Sequence, residues 1–191
     1  MADALIKITA KTAAEVCKRF VLGDEAKPLL KEGMTPDQFI SALSQKEQFG
    51  DAIKFLAQAL PKPESVFWAY NCVKEISGDK PADNIVKALA AVHKWLLDPS
   101  EDNRRATQPA YEAADLSTPA GCAAAAVFWT GGSMGPKETP VVPPPDNLTG
   151  HGVASALMIA GALNEPEKFK QKYTAFMERG LAIASGKLKW K

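Results

Sequence analysis

The stretch TPAGCAAAAVFWTGGSMGPKETPVVPPPDNLT, residues 118–149, decides how the chain is read. It opens on Thr118-Pro119, a capping residue followed by proline at the first helical position, where the missing N–H is one that no helix could have satisfied. An alanine run then leads to Phe128 and Trp129 and breaks at Gly131-Gly132. Alanine is the best helix former and glycine is the usual residue just past a helix end, so this part is a helix with a sharp stop. Residues 131–148 follow as a long excursion rich in glycine and proline, closing on Pro143-Pro144-Pro145. Loops of this length are uncommon inside compact domains and are often functional.

Working outward, the remaining chain is also helices punctuated by proline and glycine. Thr12 and Glu15 form a capping-box pattern that starts a helix to about residue 21, and a short segment interrupted by Pro28 follows. Thr35-Pro36-Asp37-Gln38 is a stronger start, after which Phe39, Ile40 and Leu43 recur at helical spacing. Further helices start near Gly50, Pro63, Pro81 and Ser100, and the last of these contains Pro109, which should kink or end it. Thr149 is placed as the cap of the next helix, and Pro166 opens the last. No run alternates with period two, and Val141-Val142 is too closely flanked by proline to be a strand.

The expectation is an all-α, compact bundle of about eight to ten helices. Its helix pairing is loosely solenoid-like but has no fixed repeat period. Residues 1–191 read as a single domain, with 1–50 as a looser N-terminal helical subdomain and 131–148 as a long ordered loop. Small residues line both the 120–126 helix and the one carrying Gly152, Ala156, Ala160 and Gly161. Such side chains let helix axes approach closely, so these two form the central pair, with Phe128 and Trp129 closing the core where the loop departs.

Composition narrows the function. Hydrophobic residues make up 46%, enough for a real core, and the net charge is +1. Neither half carries the basic excess that phosphate neutralisation demands, which argues against a nucleic-acid partner. Lys187, Lys189 and Lys191 around Trp190 read as a solvated end. Cys17, Cys72 and Cys122 are isolated, which suits a reducing compartment. The longest apolar runs, 122–129 and 153–163, fall short of the ~20 residues a bilayer crossing needs, so the expectation is a cytoplasmic protein without membrane insertion.

Catalytic patterns are weak. GGSMGPK at 131–137 lacks the spacing, the Ser/Thr and the strand–helix context of a phosphate loop, and reads as a helix cap and turn. Ser133 would need a base, and only His93 and His151 exist; both read as structural. The scattered histidines and cysteines predict no metal and no cofactor. Asp98, Glu101 and Asp102 sit where a helix start stabilises negative charge, with Glu101 able to pair Arg105 one turn on. Arg104 or Arg105 could instead reach the glycine loop through bidentate contacts. Trp68, Trp95 and Trp129 read as core, and Pro143–Pro145 as a polyproline II piece that packs on the molecule in preference to serving as a ligand.

Four segments together carry a resemblance: FLAQALPKPESVFWAYNCV, DPSEDNRR, TPAGCAAAAVFWTGGSMGP and VPPPDNLT. The chain from about 55 to 188 resembles an uncharacterised bacterial family of all-helical proteins associated with type VI secretion gene clusters. The resemblance implies an adaptor or accessory role near a secretion apparatus and supplies no catalytic residue.

The functional expectation is therefore a non-catalytic interaction module with a protein partner. Its candidate binding residues are Arg104, Arg105, Trp129, Gly131, Gly132, Ser133, Pro143, Pro144 and Pro145. Two alternatives stand beside it: a small hydrolase using Ser133 and His151, and an immunity protein with a charged face complementary to a toxin.

Overall fold

The computed structural model describes residues 4–190, so Lys191 of the tail lies outside the described residues. Among these residues it contains α1 (Ala13–Cys17), α2 (Pro36–Gln45), α3 (Phe49–Ala59), α4 (Lys62–Ile76), α5 (Asp83–Leu97), α6 (Glu101–Ala114), α7 (Pro119–Phe128), α8 (Leu148–Ala162) and α9 (Phe169–Ala184). Two 3-10 turns, Lys27–Leu29 and Pro166–Lys168, complete the order, and no strand occurs among the described residues. The fold is all-α, as the punctuation predicts. No helix among the described residues is long and apolar enough to cross a membrane.

The alanine helix is the centre. Every residue of α7 is buried, and it packs against α8, α6, α5 and α4. The approach of α7 to α8 is set by missing side chains: a Cβ on Gly152 would lie 2.9 Å from Ala126 Cβ and 3.1 Å from its Cα. Helix α8 in turn packs on α3, α4 and α9, so the α7–α8 pair lies at the core. Opposite it, Trp68 of α4 is fully buried, donates its indole N–H to Phe176 O at 2.7 Å, and lies over Gly180 of α9.

Several boundaries differ from the sequence expectation. The first helix ends at Cys17 instead of about 21, because the chain turns to seat Phe20 edge-on against Phe55, 6.5 Å between centroids. The Thr12 box does not form: the Glu15 carboxylate accepts the Lys11 N–H and the Thr12 hydroxyl in place of the Thr12 N–H, and Thr12 caps nothing. Helix α6 runs through Pro109 to Ala114, and Pro109 is exposed, so the lost N–H bond faces water. Asn147, not Thr149, occupies the N-cap of α8. Thr149 lies inside the first turn, where its hydroxyl donates to Trp129 O, outside its own helix.

Candidate interaction site

The excursion leaves from the C-terminus of α7, where helix geometry strands the last carbonyls. Three side chains from three different helices take them. Arg104 of α6 donates to Phe128 O, Thr149 of α8 to Trp129 O at 2.8 Å, and Lys62 of α4 to Thr130 O at 3.1 Å. Two of these donors are cations at the negative end of a helix, the favourable arrangement. Phe128 is buried and Trp129 half-buried, and both pack against Tyr111, so they close this end of the core. Burial raises the Tyr111 pKa above its ordinary value.

Arg104 is positioned by the start of its own helix. Ser100 caps α6 by accepting the Asn103 N–H, and the Asn103 amide holds Asp98 O at 2.8 Å and the Asp98 carboxylate at 2.9 Å. One residue later the Arg104 guanidinium, only 4% exposed, meets Glu101 in a two-bonded fork at 2.6 and 2.7 Å. It also donates to Ser133 O at 3.1 Å and lies 4.8 Å from the Phe128 ring centroid. Arg105 shares Glu101 at 2.8 Å and donates to Gly135 O at 3.0 Å. The hydrogen bonds from Arg104 hold the Glu101 carboxyl below its ordinary pKa. Both readings of the arginine pair hold at once: helix-start ion pairing and reach into the glycine loop.

The loop is tailored to receive them. Gly132 has φ +63°, and a Cβ there would lie 2.7 Å from both the Arg104 Nη2 and the Glu101 Oε2. Only glycine satisfies the conformation and the space together. Ser133 is buried, and its Oγ accepts the N–H groups of Gly135 and Val142, each at 3.1 Å. Met134 N–H donates to Val142 O at 2.8 Å, so the excursion is tied across its base. Lys137 reaches Asp102 at 3.1 Å on the surface. At the other foot, Gln58 donates to Asn147 O and Asn147 to Arg19 O, fixing the chain as it enters α8.

Much of what remains outside is apolar, beside the exposed Lys137, Glu138, Thr139 and Asp146. Val141 is 74% and Val142 51% exposed, and Pro140, Pro143 and Pro145 are exposed with them. Pro144 alone of the triplet is buried. The nine candidate residues thus divide. Arg104, Ser133 and Pro144 face inward as braces; Gly132, Pro143 and Pro145 are on the surface; Arg105, Trp129 and Gly131 lie between. Pro140, Val141 and Val142 were missed by sequence reasoning, although a β-branched pair set between prolines in a loop is itself a signal of apolar surface.

No catalytic grouping assembles around Ser133, whose hydroxyl oxygen is occupied by two backbone donors. His151 lies on the first turns of α8 beside the Asn147 amide at 3.2 Å, and His93 stacks on Tyr70 with centroids 5.3 Å apart. Asp98, Glu101 and Asp102 are engaged by Asn103, by the arginines and by Lys137. Among the described residues no three His, Cys, Asp or Glu side chains gather closely enough to hold a metal ion. Beside the second foot lies a groove of about 690 Å³ of mixed character, lined by Lys18, Arg19, Gln58 and Asn147 together with Leu60 and Pro61.

Together these features define a helical scaffold carrying one braced, outward-facing loop. The chain belongs to a family of unknown function (DUF6931), which matches residues 39–184 and so includes the loop and all of its braces but Arg19. No curated protein and no solved structure matches the chain.

Proposed function

We propose that this protein is a non-catalytic interaction module, an adaptor or accessory protein of a bacterial secretion system, and that it recognises its partner through the 131–148 excursion. The observation that carries the interaction reading is the division of labour within the loop. Arg104, Arg105, Ser133 and Thr149 hold it from beneath, while valine and proline side chains stay exposed above. A surface fixed before binding loses little conformational entropy on contact, which raises affinity without adding area. The secretion assignment rests on the resemblance of the four segments and on nothing in the geometry.

The test is capture of binding proteins from the native host by tagged wild type and by V141E/V142E, followed by mass spectrometry. Both positions are exposed, so the fold tolerates the change. The expected result is a specific partner, encoded with secretion components, retained by wild type and lost by the variant. Equal recovery by both would remove the loop from the recognition surface, and a loop-dependent partner unrelated to secretion would remove that assignment alone.

A further inference from the structure

Residues 139–145 have almost no conformational choice. Proline fixes φ near −65°, and a residue preceding proline is pushed into extended or polyproline II backbone. In TPVVPPP this constrains every residue from Thr139 to Pro145 except Val141. The described chain contains no cis peptide bond, and no residue of this segment has positive φ. These restrictions confine the segment to extended or polyproline II backbone; in a polyproline II helix, with three residues per turn, positions i and i+3 share an edge.

The edges are unequal. Pro140 and Pro143 form one edge and Val142 with Pro145 a second, and all four side chains are exposed. The third edge is divided: Pro144 is buried and Val141 is exposed. Val142 is held through its backbone, N–H to Ser133 Oγ and C=O to Met134 N, so its side chain is free. With Pro144 turned inward, the Pro140/Pro143 and Val142/Pro145 edges face out, and outward edges of this kind are what such segments place in aromatic-lined grooves. Exposed carboxylates bracket the ribbon: Glu138 before it and Asp146 after it, the latter 3.8 Å from Lys62.

We infer that residues 140–145 are a preformed polyproline II ligand for an aromatic-lined groove with a basic rim on another protein, an inference that rests on the interaction reading above. The ribbon supplies the two outward edges, and Glu138 and Asp146 set the sign of the rim. Preorganisation comes from the folded body, so the intact protein binds such a groove more tightly than the same residues in a flexible chain do.

The experiment titrates full-length protein by calorimetry into a panel of purified SH3, WW and EVH1 domains that includes members with basic groove rims. At least one basic-rimmed domain should bind, and P140A/P143A should weaken that binding by about tenfold or more. E138Q/D146N should weaken it less and flatten its salt dependence. A free oligoproline peptide should displace the protein. Thermal melts of both variants close to wild type establish that the fold is intact. Absence of binding across the panel overturns the inference, as does binding indifferent to P140A/P143A. The interaction reading falls separately: a host partner lost by V141E/V142E but retained by P140A/P143A keeps that reading and removes this one.

Discussion

Arg104 is the residue on which the two halves of the site meet. Its guanidinium holds Phe128 O at the end of α7 and Ser133 O in the loop while forking onto Glu101. A lysine ammonium is a compact point charge and cannot make the planar two-bonded fork and the two carbonyl contacts together. Replacing the side chain with methionine strands two carbonyls in a nearly closed space. Arg104→Met should therefore cost about 2–4 kcal/mol in urea unfolding and open the 131–142 segment to proteolysis, with Arg104→Lys between it and wild type. A methionine variant as stable and as resistant as wild type would show that the brace contributes nothing. The same pair leaves a pH signature. Because the folded pKa of Glu101 is depressed by the Arg104 bonds, the unfolded chain binds more protons through the acid range, and stability rises with pH there. The contribution is complete above the unfolded carboxylate value, roughly 4.3, and disappears as pH falls through the lower folded value. Glu101→Gln should flatten that acid slope.

At the scale of elements, the contact between α7 and α8 depends on Gly152. Alanine is preferred over glycine within a helix by about 1 kcal/mol, so propensity alone favours Gly152→Ala. Packing opposes it, because the new methyl would meet Ala126 Cβ at 2.9 Å and Trp129 at 3.1 Å, and Ala126 cannot swing aside. Overpacking of this kind costs about 1–3 kcal/mol, so the variant should be less stable than wild type. Ala126→Gly removes the obstructing methyl. In a double-mutant cycle by chemical denaturation, G152A/A126G should be more stable than the sum of the single changes by about 1 kcal/mol. Simple additivity would mean that the helices separate to accept the methyl. This pair was legible in advance because small residues recur along both helices, a property of each helix alone. So was each start marked by Thr35-Pro36, Ser100 and Thr118-Pro119, since caps act within one turn. The continuation of α6 through Pro109 was not, because it depends on which face of the helix meets water. The placement of Thr149 escaped for a related reason: its hydroxyl serves a carbonyl 20 residues away, on another helix. The two carbonyl contacts of Arg104, the burial of Pro144 and the exposure of Pro143 and Pro145 likewise need distant segments brought together, which no local pattern encodes.

For the molecule as a whole, the question is which residues form the folding unit. The family match begins at residue 39, yet Ala13, Val16, Phe20, Leu22 and Ala26 belong to the same buried cluster as Phe39, Phe55 and Trp68. Polar ties run the same way: Lys7 N–H to Ala184 O at 2.9 Å, Arg19 to Gln58 O at 2.7 Å, and Gly23 N–H to the Asp51 carboxylate at 3.1 Å. Asn147, at the foot of the loop, donates to Arg19 O, so the N-terminal segment also steadies the proposed recognition surface. Burial of a valine, leucine or phenylalanine side chain is worth about 1.5–3 kcal/mol each, and a domain's whole stability is about 5–15 kcal/mol. Removing residues 1–34 would therefore expose the partners of Val16, Phe20 and Leu22 at a cost that is a large share of the total. At about 2–4 °C per kcal/mol for a chain of this size, the 35–191 protein should melt roughly 10 °C or more below the intact chain. It should also bind a hydrophobic dye that the intact chain does not. Cooperative melting of 35–191 near the full-length temperature, without dye binding, would establish that the N-terminal residues cover a core already complete. The expected loss would instead make the first 34 residues part of the scaffold that holds the loop, beyond the boundary at which the family match begins.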